Sequence, residues 1–128
     1  MIDHIGLTVT NFEASKQFYK LALTSIDYQL LADIPASVSG TKDYAGFGES
    51  PKPDFWISAG SLGASAIHVA FNVKSRAQVD TFYHAAIAAG AKDNGAPGLR
   101  THYHSNYYGA FVLDFDGHNI EAVCHLAE

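Results

Sequence analysis

The sequence is poor in basic charge and contains no long apolar run, and each scarcity excludes a class of function. Only 8 of its 128 residues are Lys or Arg, against 13 Asp or Glu, and the basic residues form no cluster. Nucleic acid is therefore not an expected partner, because phosphate binding needs concentrated positive charge. No apolar run approaches the roughly 18–20 residues of a membrane span, so we expect no membrane interaction either.

Cysteine is almost absent, since Cys124 is the only one, and an intrachain disulfide is excluded. The chain also begins without a basic segment followed by an apolar one, so no signal peptide is expected. Both observations predict a reducing, cytoplasmic location. What the sequence does have is 48% apolar residues, typical of a folded domain, and seven histidines, whose placement becomes the main question.

The two halves of the chain repeat one pattern at a distance of 64 residues. The strand from His4 to Val9 corresponds to the strand from His68 to Val73. The same offset relates two further pairs of segments, Phe18-Tyr19 with Phe82-Tyr83 and Tyr44–Phe47 with Tyr108–Phe111. A constant offset predicts a single domain, 1–128, built from two modules, 1–64 and 65–128.

Hydrophobic periodicity predicts that each module is a β-α-β-β-β unit, which makes the fold class α+β. In the second module, Ser75 is expected to cap a helix that ends before Gly90. Around this helix we predict a strand over 67–73, a Gly/Pro-rich loop over 94–98, and strands over 100–105, 108–114 and 119–125. The first module is predicted to have a strand over 2–9, a helix from Asn11 to Leu23, and strands over 26–32, 42–48 and 54–59.

Two histidines and one glutamate form a candidate metal site. His4 and His68 occupy equivalent strand positions, on faces whose other residues are small or polar, which predicts a lined cavity. Glu121 lies in an otherwise apolar strand, where a buried carboxylate needs a partner or a metal. If all three side chains converge, they form a 2-His-1-carboxylate set with open coordination positions.

A second candidate site follows the second helix. Alternation in an extended segment would place Arg100, His102 and His104 on one face. Arg can bind a carboxylate or phosphate, and His or Tyr can act as an acid or base, so His102, Tyr103 and His104 are catalytic candidates. Candidates for substrate binding are Arg100, Tyr107, Tyr108, Trp56 and Asn72. The alternative is an aromatic edge that packs against the other module or a second subunit. We expect His118 and His125 at the surface and Cys124 in the core.

These motifs resemble the vicinal oxygen chelate superfamily over essentially the whole chain. The resemblance rests on the two His-containing strands, the Phe18-Tyr19 helix and the ending Asp114-Phe-Asp-Gly-His-Asn-Ile-Glu121, which has Phe115 where the family usually has Pro. The segment from Gly95 to His104 is similar to a glyoxalase-like branch. The family includes glyoxalase I, extradiol dioxygenases, methylmalonyl-CoA epimerase, fosfomycin-modifying enzymes and bleomycin-binding proteins.

The resemblance implies paired β-α-β-β-β modules forming a curved, partly closed mixed sheet around a cavity. It also implies that His4, His68 and Glu121 hold a divalent ion such as Fe, Mn, Zn, Ni or Co. Glyoxalase I has a fourth ligand, a Glu in the first module, but the 64-residue offset places Ile57 opposite Glu121, and its neighbours are not carboxylates either. True glyoxalase I activity is therefore disfavoured, and three ligands fit fosfomycin-type transferases or iron-dependent dioxygenases better.

Three functions from different classes remain open at this point. The first is a metal-dependent enzyme, with lyase, transferase, isomerase or dioxygenase chemistry on a small oxygenated substrate. The second is a protein that binds and sequesters a small antibiotic-type molecule, with Phe55 and Trp56 lining the pocket. The third is a structural protein with a relic site.

A homodimer is the expected assembly, because open sheet edges must be covered. The alternative is a monomer whose two modules face each other around a self-contained cavity. The aromatic segment 103–108, together with Phe55 and Trp56, is the expected contact, since aromatic residues are enriched at interfaces.

Overall fold

The computed structural model describes residues 2–63 and 65–128. The chain folds into two compact units, residues 1–65 and 66–128, called unit one and unit two below. The predicted module boundary falls at Ala64, which lies outside the described residues. No helix in the described residues has the length and apolar character needed to cross a membrane.

Unit one is a four-stranded mixed sheet with one long and one short helix. Its elements are β1 (Ile5–Val9), α1 (Phe12–Thr24), β2 (Gln29–Ile34), α2 (Ala36–Ser39), β3 (Tyr44–Gly48) and β4 (Phe55–Ala59). The strand order is β1-β4-β3-β2, in which β1 and β4 are parallel and the other pairs antiparallel. The sheet is open, with β1 at one edge and β2 at the other.

Unit two repeats this topology with one helix. Its elements are β5 (His68–Asn72), α3 (Arg76–Ala88), β6 (Lys92–Leu99), β7 (Tyr108–Leu113) and β8 (Asn119–Cys124). The order β5-β8-β7-β6 has one parallel pair, β5 with β8, and two antiparallel pairs. The predicted α+β class with paired β-α-β-β-β units is confirmed, as two open four-stranded sheets.

The helix termini form where their capping residues predict. The side chain of Asn11 accepts a hydrogen bond from the Ala14 amide, and Ser75 accepts one from the Gln78 amide, so each satisfies a free donor of the first turn. After α3, Gly90 has φ +106°, a left-handed conformation that glycine adopts without steric cost. Both long helices are thereby confirmed.

Each helix covers the apolar face of its own sheet. In unit one, Tyr19 of α1 lies with its ring 5.0 Å from Phe55 and 6.1 Å from Phe47, and all three are essentially fully buried. In unit two, the equivalent layer is also buried and consists of Val79, Phe82, Val112 and Ile120. Successive strand residues point to opposite faces, so the residues between these core positions lie on the side away from the helix.

The structure differs from the sequence-based prediction most in unit two. Residues 94–98, expected to be a loop, belong to β6, whose pairing with β7 is irregular around Gly95 and again before Gly98. Strands at the edge of a sheet tolerate bulges, Gly and Pro, so these residues did not mark a loop. The predicted strand over 100–105 is also wrong, because residues 100–107 form turns closed by a 2.7 Å hydrogen bond from the Arg100 amide to the Tyr107 carbonyl.

Smaller differences occur in unit one. The first strand begins at Ile5, so His4 precedes it, and the second strand lies over Gln29–Ile34 instead of 26–32. Ile26 stays in the core between helix and strand, which explains why its apolar side chain suggested an earlier strand start. The four-residue helix α2 was not predicted.

Strand register corrects the repeat by one position in its later part. Gly6 pairs with Trp56 in unit one, whereas Ala70 pairs with Glu121 in unit two. The strands β1 and β5 keep the 64-residue offset, but β4 and β8 are 65 residues apart, so Trp56, and not Ile57, occupies the position equivalent to Glu121. The same shift makes Gly46 equivalent to Phe111, since each lies directly across from one of these residues.

Candidate metal and substrate site

Glu121 is a buried carboxylate in the middle of the sheet of unit two. It lies on β8, which is paired on both sides, with Ala70 of β5 and Phe111 of β7 as its neighbours. Its relative exposure is 1%, and it lies on the face away from α3, since Ile120 and Ala122 fill the helix side. A carboxylate removed from water at this position must be compensated by donors or cations.

Two side chains, from different segments, compensate it. The Tyr107 hydroxyl donates a hydrogen bond to Oε1 of Glu121. His68 brings its Nε2 to 3.2 Å from Oε2. Both carboxylate oxygens therefore have a partner, and the three side chains form what we call the Glu121 network.

The backbone determines which nitrogen of His68 carries a proton. Nδ1 lies 2.9 Å from the carbonyl oxygen of Asn119, which can only accept, so Nδ1 carries the hydrogen. Nε2 of a neutral ring would then direct a lone pair at a carboxylate oxygen. This arrangement is favourable only when a cation, either a second proton or a metal ion, lies between the two atoms.

The donor set fits a divalent metal ion as well as a proton. Metal-bound histidines usually donate their second ring N–H to a backbone carbonyl or carboxylate, as His68 does here. Ligand atoms about 2.1 Å from one ion and about at right angles to it are roughly 3 Å apart, close to the observed 3.2 Å. The spacing of His68 and Glu121 is therefore compatible with two ligands of one divalent ion.

Tyr107 is held in its protonated form. Burial, and then the hydrogen bond to Glu121, raise the pKa of its hydroxyl far above the usual value. A tyrosine that keeps its proton remains a donor to the carboxylate over the whole physiological range of pH. Tyr107 was predicted to bind substrate, and the structure places it against the carboxylate.

A glycine makes room for this hydrogen bond. A Cβ added to Gly109 would lie 3.1 Å from Oε1 of Glu121 and 3.2 Å from Cε1 of Tyr107. Both separations are tighter than normal carbon contacts, so a larger residue would push the hydroxyl and the carboxylate apart.

Arg100 lies over the ring of Phe111, the strand neighbour of Glu121. Its guanidinium donates to the Ala96 carbonyl at 2.7 Å and stacks over the ring of Phe111 at 5.6 Å. The same ring stacks against His68, with centroids 6.3 Å apart. Gly98 allows this position, since an added Cβ there would lie 3.0 Å from the guanidinium. The Phe111 ring is therefore in contact with both the Arg100 guanidinium and the His68 imidazole.

The other loop residues form an aromatic cluster that contacts Tyr107 of the network. Because residues 100–107 are not extended, Arg100, His102 and His104 do not share a strand face, contrary to expectation. Nε2 of His104 lies 2.8 Å from Nδ1 of His125, and the exposed Tyr103 ring lies 4.2 Å from His102 and 4.7 Å from Tyr107.

Two predicted substrate-binding residues lie away from Glu121. Tyr108 points to the helix side of the sheet, where its hydroxyl donates to Asp80 of α3 at 2.8 Å and its ring lies under Arg76. Asn72 is exposed at the end of β5.

His118 was expected at the surface, but it is only 3% exposed and bonds to two other segments. Its Nδ1 accepts the Ile67 amide at 3.0 Å, and its own amide donates to the buried Asp114 carboxylate at 2.8 Å. These contacts join the start of β5 to the turn before β8, and so align His68 with Glu121. The signal that could have revealed it is the Asp114-to-Gly117 turn, whose acidic side chain needs donors. Cys124 is buried and free, as expected.

In unit one, His4 shows the same pattern of ring hydrogen bonding. Its Nδ1 lies 2.7 Å from Oδ2 of Asp3, so Nδ1 carries a proton and donates to the carboxylate, as the second ring nitrogen of a metal-bound histidine usually does. Lys52 holds the other oxygen of Asp3. Hydrogen bonds from Lys52 and then His4 lower the pKa of Asp3, so the carboxylate remains charged and orients the ring.

Unit one also has a pocket of about 560 Å³ on its sheet face. Its walls include His4, Ile34, Tyr44, Pro53 and Trp56. Phe55, expected to line such a pocket and to form an intersubunit contact, is 1% exposed in the core, so both expectations are wrong. The alternation along β4 places Phe55 under the helix and leaves Trp56 on the pocket side.

Within the described residues, no group of three or more His, Cys, Asp or Glu side chains meets the geometry of a metal site. The pairs described above are His68–Glu121 and His104–His125 in unit two, and His4–Asp3 in unit one.

Comparisons with known proteins agree with this architecture. A glyoxalase/bleomycin resistance protein from Albidiferax ferrireducens T118 is 26% identical, with a TM-score of 0.74 over 95% of this chain and 97% of that one. The fosfomycin resistance protein FosX from Listeria monocytogenes, solved with Mn(II) and sulfate, is 17% identical, with a TM-score of 0.68 over 97% and 91%.

A glyoxalase I mutant from Zea mays is 22% identical, with a TM-score of 0.71 over 95% of this chain but 46% of that one. A search of curated proteins finds no significant match. The sequence matches a family model over residues 1–122. The paired units and this match show that the chain belongs to the Glyoxalase/Bleomycin resistance protein/Dioxygenase superfamily.

Proposed function

We propose that this protein is a metal-dependent enzyme of the vicinal oxygen chelate type that acts on a small oxygenated substrate. Its divalent ion is held by His68 and Glu121, and His4 is the third ligand. The observation that carries the proposal is the pairing of His68 Nε2 with Glu121 Oε2, with the other ring nitrogen committed to the Asn119 carbonyl. The relative FosX, solved with Mn(II), supports a divalent ion in this fold.

A divalent ion held by these residues would act as a Lewis acid towards vicinal substrate oxygens, which is the step shared by lyase, transferase, isomerase and dioxygenase chemistry. The chain's own residues have separate tasks. Tyr107 orients the Glu121 carboxylate and keeps its proton. Asp3 orients His4 by the same principle.

Arg100 is the residue proposed to bind a negatively charged group of the substrate. Only part of its guanidinium is used by the Ala96 carbonyl, so N–H donors remain for a carboxylate or phosphonate. Its stacking on Phe111 restricts its motion and keeps the positive charge next to His68. His102, Tyr103 and His104 remain candidates for proton transfer, in the loop that also carries Tyr107.

Glyoxalase I activity is not part of the proposal. The register places Trp56 at the position equivalent to Glu121, so unit one supplies no matching carboxylate there. Three ligands favour fosfomycin-type transferase or dioxygenase chemistry instead.

The proposal is tested by purifying the protein without chelator and measuring bound metals by mass spectrometry. Titration of the metal-free protein with Mn, Fe, Co, Ni and Zn ions follows by calorimetry. We expect at least one ion to bind with micromolar or tighter affinity, and His68→Ala and His4→Ala each to weaken it. A protein that binds none of these ions would overturn the proposal.

The second candidate is a protein that binds and sequesters a small molecule, which the pocket beside Trp56 favours. It predicts that His4→Ala leaves ligand affinity and metal content unchanged. An affinity that falls together with the metal content would exclude this candidate.

We also propose a cytoplasmic homodimer. The strands β1 and β5 lie at sheet edges, and exposed edges favour association. The only cysteine is a buried free thiol, consistent with a reducing compartment. Light scattering should give one species of twice 13.8 kDa. A 13.8 kDa species that persists at micromolar concentration and still binds metal would refute the dimer.

A further inference from the structure

We propose that the pocket of unit one binds a neutral planar ring, so that the substrate is a small chelating molecule with an apolar, aromatic end. This inference rests on the proposed function, because it deepens the description of the substrate. It comes from the pocket on the sheet face of unit one, which the Glu121 network does not use.

The pocket has the size and lining for such a group. A cavity of about 150 Å³ is enough for benzene, so about 560 Å³ accommodates a ring together with part of a substituent. Most of the named wall is apolar or aromatic, since it includes Ile34, Tyr44, Pro53 and Trp56. Flat rings stack favourably on aromatic side chains of this kind.

Trp56 is fixed as a platform before any ligand arrives. It pairs directly with Gly46 on the neighbouring strand, and a Cβ added to Gly46 would lie 2.9 Å from atoms of the indole ring and 2.9 Å from Cβ of Pro53. The indole therefore lies across the bare backbone of Gly46, close to Pro53. A rigid ring loses little conformational entropy on binding.

The charge around the pocket favours a neutral ring over a cationic one. Asp3 is the carboxylate at this pocket, and its two oxygens are already held by Lys52 and His4. It therefore offers no uncompensated negative charge to a cation.

The position of the pocket connects the ring to the proposed metal. His4, the proposed third ligand, lines the same pocket. The register equivalence of Trp56 and Glu121 means that unit one has a ring where unit two has a carboxylate. A substrate whose ring lies in this pocket and whose oxygens reach an ion bound to His4 has chelating oxygens at one end and an apolar ring at the other.

The test compares two 2-hydroxy acids that differ only in a phenyl or methyl group, mandelate and lactate, on Mn-loaded protein. We expect mandelate to bind at least tenfold more tightly, because its phenyl ring leaves water. Trp56 is the only tryptophan, so a change in intrinsic fluorescence on adding mandelate reports this site alone.

Variants at Trp56 provide the control. Trp56→Ala should bring the affinity for mandelate down to that for lactate, with lactate and Mn binding unchanged, and Trp56→Phe should retain most of the preference. Equal affinities in the wild-type protein, or a preference that survives Trp56→Ala, would overturn the inference. If phenyltrimethylammonium binds more tightly than benzyl alcohol, the claim that the pocket prefers a neutral ring to a cationic one is wrong.

The two proposals can fail separately. If none of the five ions binds but benzyl alcohol still changes the Trp56 fluorescence of metal-free protein, the metal-dependent function is wrong and the ring site stands. If Mn binds, but mandelate binds no more tightly than lactate and benzyl alcohol leaves the Trp56 fluorescence unchanged, the ring site is wrong and the metal proposal stands.

Discussion

The two units share a topology but present different chemistry on the sheet face away from the helix. Unit one has Gly46 and Trp56 at paired positions, and unit two has Phe111 and Glu121 at the equivalent pair. The exchange of large and small residues keeps the sheet filled, while it changes an aromatic surface into a buried carboxylate. The two units thus keep one topology while the side chains on this face differ.

Tyr28 in unit one and Tyr107 in unit two are each bonded to a carboxylate, but these two pairs differ in position. Tyr28 donates to Asp54 at 2.9 Å near the start of β4, whereas Tyr107 donates to Glu121 on the site face of β8. In both, burial is the main cause of a raised tyrosine pKa, and the carboxylate adds to it. The first pair therefore serves as an internal reference for the second.

The largest expected effect is a difference in stability between substitutions on the two faces of β4. Phe55→Ala should destabilise the protein by about 3–5 kcal/mol, because it removes a ring from the closed core with Tyr19 and Phe47. Trp56→Ala, one residue further, should cost about 1 kcal/mol, because Trp56 is only half-buried. Urea denaturation measures both, and equal losses would contradict the assignment of Trp56 to the pocket side.

The next effect concerns the carboxylate that only unit two has. Glu121→Gln keeps the size of the side chain but removes its charge, and we expect at least about a 100-fold loss of Mn affinity by calorimetry. The matched control is Glu49→Gln, which changes an exposed glutamate of unit one and should leave the affinity unaltered. If both variants bind Mn like the wild type, Glu121 is not a ligand.

A smaller effect distinguishes the glycines of the two units. Gly109→Ala should cost about 1–3 kcal/mol and weaken Mn binding about tenfold, because the added carbon presses on Glu121 and Tyr107. Gly6→Ala meets nothing within 4 Å and introduces the residue that unit two already has at Ala70, so its stability should change by less than about 0.5 kcal/mol. Thermal denaturation and Mn titration measure both variants. If Gly109→Ala loses no more stability or Mn affinity than Gly6→Ala, the Glu121 network is loosely packed and the prediction is wrong.

The smallest effect is the pH dependence of the reference pair. The pKa of Tyr28 in the folded protein is about 12, against an ordinary value of 10.0. The neutral tyrosine is favoured in the folded state, so its contribution is complete below pH 10 and is lost as the pH rises towards 12. Because the side chain is partly exposed, we expect less than about 1 kcal/mol. The urea midpoint of the wild-type protein should fall between pH 10 and pH 12, and Tyr28→Phe should reduce this fall. If the fall is the same in the variant, Tyr28 is not its source.

The sequence alone was sufficient for features that depend on local patterns. Asn11 and Ser75 cap the two long helices, and the alternation around Leu7 and Phe71 correctly assigned the buried face of each first strand. These features follow from residues close together in the chain, because capping and strand alternation are local. The repeat, and the resemblance to the superfamily, could also be recognised from the sequence, because each matching motif is a short continuous segment.

Only the tertiary structure decided the features that depend on pairing between distant segments. Register moved the equivalent of Glu121 from Ile57 to Trp56, because a one-residue difference between the repeats changes which face a side chain occupies. The structure also shows that Tyr107 donates a hydrogen bond to Glu121. It shows that His118 is buried and accepts the amide of Ile67, which precedes the strand that carries His68. A periodic pattern identifies a face of a strand, but the partner that a side chain contacts across the sheet depends on how the chain folds back.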